Sequence, residues 1–177
     1  MKIDRVVVGY LQCNCYVLSI GDECIVIDPG DDCEHIKNII ANKKVIAILI
    51  THHHFDHIGA IDNFDKNLIY DFSNLEEKEY QFSNFKFEVI NTPGHTNDLL
   101  TYYFKENNMM FTGDFLFKDS IGRTDFENSS NKDMINSLNK IKRYDNNIII
   151  YPGHGDSSTL GHEKDNISYY INYLKNE

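Results

Sequence analysis

The sequence predicts an α/β fold in which short strands alternate with helices along the chain. Nine short runs are rich in Val, Ile, Tyr and Phe, the residues that favour strands. Three other segments repeat apolar residues at three- and four-residue spacing, which is typical of amphipathic helices. With 177 residues, 41% of them hydrophobic and 25% charged, the chain has the length and composition of one globular domain over residues 1–177.

The predicted elements are interleaved rather than grouped. Strands are predicted at 6–10, 16–20, 24–27, 45–50, 68–70, 85–90, 99–104, 109–112 and 148–151. Helices are predicted at 34–42, at 134–143 and in the tail after Gly161, where the apolar spacing is carried by Ile167, Tyr170, Ile171 and Leu174. Alternation of this kind indicates an α/β architecture.

Each of the three prolines is followed by a glycine, and each pair closes an apolar run, at Pro29, Pro93 and Pro152. Proline cannot donate to a central ladder and glycine permits positive φ, so each pair is expected to end a strand in a tight turn. Two of these turns are followed at once by a histidine, His95 and His154. Loops at strand ends commonly carry function, which makes both histidines candidate site residues.

The segment His-His-His-Phe-Asp-His at 52–57 follows a predicted strand directly. Because side chains alternate in an extended chain, His52 and His54 should point the same way and His53 the opposite way. Asp56 and His57 follow at a turn and can point elsewhere. This spacing suits two neighbouring metal ions, with the first two histidines on one ion and the Asp-His pair on the other.

The remaining ligands are predicted from later strand ends. His95 is assigned to the first ion and His154 to the second. Asp114 ends another apolar run and has two oxygens that could bridge both ions, although an N-cap is an alternative role. Neutral imidazoles and carboxylates suit Zn²⁺ and are acceptable to Fe or Mn. The sequence therefore predicts a centre of two divalent ions, with Zn²⁺ favoured.

Asp28, beside Pro29, is predicted to orient one of the ligands rather than to bind metal, because ligating groups usually need such a partner. Asp56 and Asp114 are the carboxylates expected to take part in catalysis as ligands of the reactive centre.

The order of Asp28, the motif at 52–57, His95, Asp114 and His154 resembles that of the metallo-β-lactamase superfamily. Within that superfamily, four segments resemble the glyoxalase II-like thioester hydrolases, at 92–96, 113–117, 121–125 and 151–155. The resemblance implies an αββα sandwich with a dinuclear metal site at one edge of its two sheets.

The implied reaction is hydrolysis of a small acyl-thiol. Two cations about 3.5–4 Å apart lower the pKa of a shared water towards neutrality, and the resulting hydroxide can attack a thioester carbonyl. Thiolate is a good leaving group, so no dedicated protein acid is required. Lys118 and Arg123 flank the 113–117 loop and are candidates to bind a substrate carboxylate, Arg123 with bidentate geometry. The alternative is that both are ordinary solvent-exposed cations.

The sequence departs from glyoxalase II in three places. It ends soon after residue 171, which leaves no room for the C-terminal helical domain that grips glutathione, so the chain resembles the short, single-domain members. Asn97 and Asp98 follow Thr96 where the family has Pro-Gly, and Ile167 follows Asn166 where the family has proline. None of these positions is a predicted ligand.

Other activities occur on the same fold. Persulfide dioxygenases, which use a single iron, resemble the chain at 122–126, whereas the retained His154 favours two ions and hydrolysis. Lactonase activity is a further alternative. β-Lactamase activity is disfavoured because the Asp56-His57 pair and the bridging Asp114 differ from the cysteine-containing sites typical of those enzymes. A purely structural metal site is disfavoured because structural zinc sites are closed and often rich in cysteine, whereas this ligand set leaves coordination positions open.

The charge excludes further classes of partner. With 17 basic and 27 acidic residues, a net charge of −10 and a pI near 5.2, the chain offers no basic surface for a phosphate backbone, so no nucleic acid is expected.

No apolar run approaches the roughly 20 residues that span a bilayer, and no signal peptide is predicted. We therefore expect a cytoplasmic protein with no membrane partner.

The four cysteines, Cys13, Cys15, Cys24 and Cys33, form no C-x-x-C motif. We expect free, mostly buried thiols in a reducing compartment. Cys13 and Cys15 should share one face of a strand, but the surrounding sequence offers no further ligand beside them, so no metal is predicted there.

Overall fold

The computed structural model describes residues 1–176, in which thirteen strands and four α-helices are found. The strands are β1 Lys2–Val8, β2 Cys13–Ile20, β3 Glu23–Ile27, β4 Lys44–Leu49, β5 Ile69–Tyr70, β6 Glu79–Phe82, β7 Phe85–Asn91, β8 Leu100–Phe104, β9 Met109–Gly113, β10 Leu116–Phe117, β11 Ser120–Ile121, β12 Ile149–Pro152 and β13 Ser158–Thr159. The α-helices are α1 Cys33–Ile40, α2 Phe55–Ile58, α3 Asn131–Ile141 and α4 Leu160–Leu174.

The strands form two mixed sheets and one small hairpin. The first sheet has the order β1-β2-β3-β4-β5, and the second has the order β13-β12-β9-β8-β7-β6. Strands β3, β4 and β5 are parallel, as are β9 and β12, whereas the other pairs are antiparallel. The hairpin of β10 and β11 lies outside both sheets.

Three apolar clusters show how the layers stack. The cluster between the sheets joins Tyr16 and Ile25 of the first sheet to Phe87, Tyr102 and Phe111 of the second. A second cluster packs Ile36 and Ile40 of α1 onto the outer face of the first sheet. A third packs Met134 and Leu138 of α3 and Ile167 of α4 onto the second sheet. The layers are thus helix, sheet, sheet and helix, which confirms the predicted αββα sandwich.

Local sequence explains where the longer helices begin. Ser130 caps α3 by accepting a hydrogen bond from the backbone N–H of Asp133 at 3.2 Å, and Thr159 caps α4 in the same way from His162 at 3.3 Å. Each cap is worth about 1 kcal/mol. The apolar stripes of both helices face the second sheet, and fully burying one aliphatic side chain contributes roughly 1.5–3 kcal/mol.

Four of the described strands lie outside the predicted runs, and these are short or lie at an edge. Each of the nine predicted runs overlaps an observed strand, but β10, β11 and β13 have two residues each, too few to show a period of two. Strand β6 does alternate Glu79 and Gln81 with Tyr80 and Phe82, and that alternation predicts an edge strand. The turn predicted after His54 is in fact the one-turn helix α2.

None of the helices within residues 1–176 combines the length and the apolar character that crossing a bilayer requires.

Candidate metal centre

The predicted site residues all follow the C-terminal ends of strands, and those ends meet at one edge of the sandwich. Asp28 follows β3 and the 52–57 segment follows β4 in the first sheet. His95, Asp114 and His154 follow β7, β9 and β12 in the second sheet. Because parallel strands place their carboxyl ends at the same edge, residues distant in sequence converge there.

His52, His54 and His95 form the first ligand set. The Nδ1 atom of His54 lies 3.0 Å from Nε2 of His52 and 3.0 Å from Nε2 of His95. These three nitrogens and a carboxylate oxygen of Asp114 all lie within 4.8 Å of one another. The structure therefore places together the three histidines that the spacing assigns to one ion.

The outer nitrogens of two of these rings are held by the protein. Nδ1 of His95 donates to the backbone carbonyl of Arg123 at 2.8 Å, and Nδ1 of His52 lies 3.1 Å from Oγ1 of Thr51. A histidine that donates through one nitrogen presents a lone pair on the other. The arrangement thus fixes Nε2 of His95 as the atom available to a cation.

Asp56, His57 and His154 form the second ligand set. Oδ2 of Asp56 lies 3.1 Å from Nε2 of His154 and 3.8 Å from Nε2 of His57. Asp28 lies behind His57, where Oδ2 accepts from Nδ1 of the ring at 2.9 Å. Asp28 is itself held by the backbone N–H and the hydroxyl of Thr51, at 2.7 and 2.6 Å. The structure places Asp28 where the sequence analysis expected a group that orients a ligand.

Asp114 lies between the two sets. Its Oδ2 is 3.6 Å from Nε2 of His95 and 3.6 Å from Nε2 of His154, and its Oδ1 is 3.3 Å from Nε2 of His57. One carboxylate therefore contacts both sets, as the predicted bridging role requires.

Two buried atoms of this cluster lack partners. Among the described residues, Nε2 of His57 and Oδ1 of Asp114 make no hydrogen bond of acceptable geometry, although both are shielded from solvent. A buried polar group without a partner costs about 1–3 kcal/mol. Divalent cations held by the two sets would satisfy both atoms, and a donor set of imidazoles and carboxylates suits zinc or iron. The residues present fit a metal centre.

The electrostatics keep the ligand atoms available. Burial, reinforced by the neighbouring imidazoles, holds the pKa of His52 well below its usual range, which favours the neutral ring. Burial opposes charge on His57 as well, but the neighbouring carboxylates of Asp28 and Asp114 raise its pKa well above the usual value. Burial also opposes charge on Asp114, yet His57 and the other histidines hold its pKa below the usual range. A cation at Nε2 of His57 would compete with a proton for that atom.

The Pro-Gly turn at Gly153 packs directly against the ligands. A Cβ atom at this position would lie 2.3 Å from Oδ1 of Asp114 and 2.6 Å from Cε1 of His57. Gly153 does not have a positive φ, unlike Gly94, whose φ is 151°. The expectation that all three turn glycines serve to permit positive φ is therefore wrong, since close packing requires the glycine at Gly153.

A cavity of about 480 Å³ opens beside the centre. Ligands of both sets form its floor, and its walls are largely apolar. The wall residues come from several loops and strands: Leu11, Phe55, Phe117, Ile121 and Phe126. Phe55 and Phe126 remain 73% and 41% exposed, so the protein leaves apolar surface uncovered at the mouth of the metal centre.

The predicted substrate residues have other partners. Arg123 lines the cavity, but its guanidinium donates to both carboxylate oxygens of Asp125 at 2.9 and 2.8 Å and lies 4.7 Å from the centre of the Phe126 ring. Lys118 is exposed in the turn between β10 and β11 and does not line the cavity. Their role in substrate binding stays a prediction.

His53 points away from the centre, as the alternation predicts. Its two ring nitrogens contact the carboxylates of Asp98 and Asp71.

One neighbour of the centre is not predicted from the sequence. Cys13, at the start of β2, has its sulfur within 4.8 Å of ligand atoms of Asp56, His57 and His154. The expectation that no ligand lies near Cys13 is wrong, because these groups follow other strands and only the tertiary structure brings them together.

A two-sheet sandwich with a histidine- and aspartate-rich centre at one edge defines a class of metal-dependent enzymes. The sequence matches the metallo-beta-lactamase superfamily over residues 8–71 and 68–154. The chain belongs to the metallo-beta-lactamase superfamily.

Two relatives match the chain over most of its length. The probable metallo-hydrolase YqgX of Bacillus subtilis (strain 168) is 30% identical over 201 residues, covering 93% of this chain and 95% of the relative. The hydroxyacylglutathione hydrolase GloC of Haemophilus influenzae is 30% identical over 204 residues, with the same coverage of both chains. These matches support a metal-dependent hydrolase.

Two solved structures are similar throughout. The B3 metallo-beta-lactamase BLEG-1 has a TM-score of 0.89 and 29% identity, covering 96% of this chain and 99% of that chain. TTHA1623, solved in a di-iron-bound form, has a TM-score of 0.82 and 30% identity, covering 90% and 96%.

Proposed function

We propose that this protein is a dinuclear metal-dependent hydrolase of thioesters, formed by one domain. The observation that carries the proposal is the contact of Asp114 with both ligand sets. His52, His54 and His95 would hold one ion, and Asp56, His57 and His154 the other. Two ions held by sets that share one carboxylate would lie close enough to share a water.

The protein's own groups position the reaction. Asp28 fixes the His57 ring through Nδ1, and the carbonyl of Arg123 fixes the His95 ring in the same way, so both rings present Nε2 to the centre. When bound, two divalent ions would supply Lewis acidity and make hydroxide available at neutral pH. The apolar walls of the cavity would bind the acyl part of the substrate and reduce the access of bulk water to it.

A thioester suits this arrangement. Thiolate leaves readily without protonation, so the centre needs no separate acid for the leaving group. The name of GloC, a hydroxyacylglutathione hydrolase, supports a small acyl-thiol as the substrate class. We propose zinc as the resident metal, with iron or manganese also accepted, and the di-iron form of TTHA1623 supports the acceptance of iron.

The test is metal-dependent turnover with a matched pair of variants. Protein stripped of metal and reloaded with zinc is assayed on S-lactoylglutathione, other thioesters and lactones. We expect zinc to restore thioester hydrolysis. His54→Ala should abolish most of it, whereas His53→Ala, a change one residue away on the opposite side, should retain it. No metal-dependent turnover on any thioester would overturn the proposal.

β-Lactam hydrolysis is a second candidate, favoured by the similarity to the metallo-beta-lactamase BLEG-1. A chromogenic cephalosporin added to the same panel distinguishes β-lactam hydrolysis from thioester hydrolysis. Turnover of the cephalosporin faster than that of every thioester would favour this candidate.

The persulfide dioxygenase alternative requires one iron per chain and oxygen uptake on a persulfide. The second ligand set around His57 and His154 supports two ions instead.

A further inference from the structure

Cys13 lies at the start of β2, fully buried beside the second ligand set. Its backbone forms an isolated antiparallel bridge with His154, and the backbone N–H of Asn14 donates to the carbonyl of Gly153 at 2.7 Å. These backbone contacts fix β2 against the turn that carries His154. The position of the Cys13 sulfur relative to that ligand is therefore set by the fold.

We propose that Cys13 is a further ligand of the second metal ion, which gives that ion a sulfur donor beside Asp56, His57 and His154. This inference rests on the metal centre of the proposed function. The four ligand atoms all lie within 4.8 Å of one another. With metal–sulfur bonds of about 2.3 Å and metal–nitrogen bonds of about 2.0–2.1 Å, two ligand atoms of one tetrahedral ion are about 3.3–3.6 Å apart. Movements of up to about 1 Å would bring all four onto one ion.

A second observation points to a cation at the same place. Nε2 of His57 is fully shielded and, within residues 1–176, lacks a hydrogen-bond partner. The other nitrogen of that ring is already engaged by Asp28. Within the same residues Cys15, two positions along β2 and equally buried, belongs to no group of potential ligands. Packing alone accounts for Cys15, whereas Cys13 has a set of metal-binding neighbours.

A sulfur donor would change which metals the second position selects. Cysteine binds as the thiolate, and its proton would pass to solvent when the ion enters. Thiolate ligands select zinc and other soft ions, whereas manganese prefers oxygen donors. Mutation of a residue that merely supports a ligand typically lowers metal affinity about 10- to 100-fold. We therefore expect Cys13→Ser, which would remove a ligand itself, to lower the affinity for cadmium at this position by at least that factor. The affinity for manganese should change much less.

Cobalt substitution tests the ligation directly. The full-length protein is stripped of metal, loaded with Co²⁺ and examined by absorption spectroscopy. Visible bands report cobalt in the centre, and a near-ultraviolet band reports charge transfer from a thiolate. We expect both in the wild-type protein, loss of the near-ultraviolet band in Cys13→Ser, and its retention in the matched variant Cys15→Ser.

The outcomes separate this inference from the proposed function. Visible bands without the thiolate band, or a thiolate band that persists in Cys13→Ser, would overturn the role of Cys13 and leave the metal centre intact. Failure to bind cobalt at all would overturn both. If Cys13→Ser does not fold, a proton–cadmium correlation spectrum of the wild-type protein decides, because a bound Cys13 gives a cross-peak from its β protons.

Discussion

His57 shows how a single residue links the fold to the chemistry of the centre. One ring nitrogen is held by Asp28, and the other points at Asp56 and Asp114 without a hydrogen bond of its own among the described residues. Asp28 sits in the left-handed region, with φ of 51°, at the turn after β3. The residue that orients the ligand therefore owes its position to a backbone conformation that few residue types adopt.

Asp28→Asn is the sharpest test of that link. Asparagine tolerates the same backbone conformation, so the turn should persist, but the amide cannot provide the charge that stabilises the His57 N–H bond. We expect zinc affinity at the second position to fall about 10- to 100-fold, with the first position unchanged. Competition against a calibrated chelator measures both. The exposed Asp31→Asn serves as the control, and equal losses at both positions would contradict the assigned role.

Phe126 tests the apolar wall of the cavity. Its ring centre lies 5.4 Å from that of His54 and 5.5 Å from that of His95, and the side chain is 41% exposed. Burying a phenylalanine against substrate is worth roughly 1.5–3 kcal/mol, so Phe126→Ala should lower kcat/KM about tenfold or more for long acyl thioesters. Acetyl thioesters should be affected less, and Phe72→Ala, at another exposed position, should have no effect. Equal losses for short and long acyl groups would argue against a hydrophobic role.

Among the elements, the hairpin of β10 and β11 connects the cavity wall to α4. Glu163, fully buried in the first turn of α4, accepts from the backbone N–H of Asp119 at 3.0 Å and also bonds Ser158 and Asn166. Through these contacts one side chain joins the hairpin, β13 and the helix. The hairpin carries Phe117 and Ile121 of the cavity wall, so its anchoring shapes the site.

Removal of this anchor should destabilise the fold. Glu163→Ala leaves the donors of Asp119, Ser158 and Asn166 without this acceptor in a partly buried place, and we expect a loss of about 1–3 kcal/mol in the free energy of unfolding. Urea denaturation measures the loss, with the exposed Glu106→Ala as the control. An unchanged denaturation midpoint for Glu163→Ala would show that the hairpin is anchored by other contacts.

Elements differ in how far the sequence alone predicts them. Nine of the described strands are predictable because their apolar and β-branched residues leave a local pattern, and the Pro-Gly pairs predict where several of them end. The two-residue strands β10, β11 and β13 exist only through tertiary pairing and leave no such pattern. The spacing of the 52–57 motif likewise predicts which histidines act together, whereas the nearness of Cys13 depends on how β2 packs against β12.

Across the whole molecule, the ligands come from both sheets. Residues after β3 and β4 meet residues after β7, β9 and β12 at one edge, so bound ions would join the two layers of the sandwich. Metal that binds only the folded protein should stabilise it as a unit, by about 4 kcal/mol when free metal is 1,000 times its Kd. For a chain of this length, that corresponds to a rise of about 10 °C in Tm.

Thermal unfolding of metal-free and zinc-loaded protein measures this coupling. We expect the full rise in the wild-type protein and a smaller one in His154→Ala, which would lose a ligand contributed by the second sheet. A zinc-independent Tm would indicate that the ligand clusters do not hold metal in solution.

The most direct measurement is anomalous diffraction at the zinc edge from crystals grown with zinc. Two peaks about 3.5–4 Å apart are expected, with Asp114 touching both, His52, His54 and His95 on one, and Asp56, His57 and His154 on the other. A single peak, or two peaks that do not share Asp114, would contradict the dinuclear centre and with it the proposed hydrolysis.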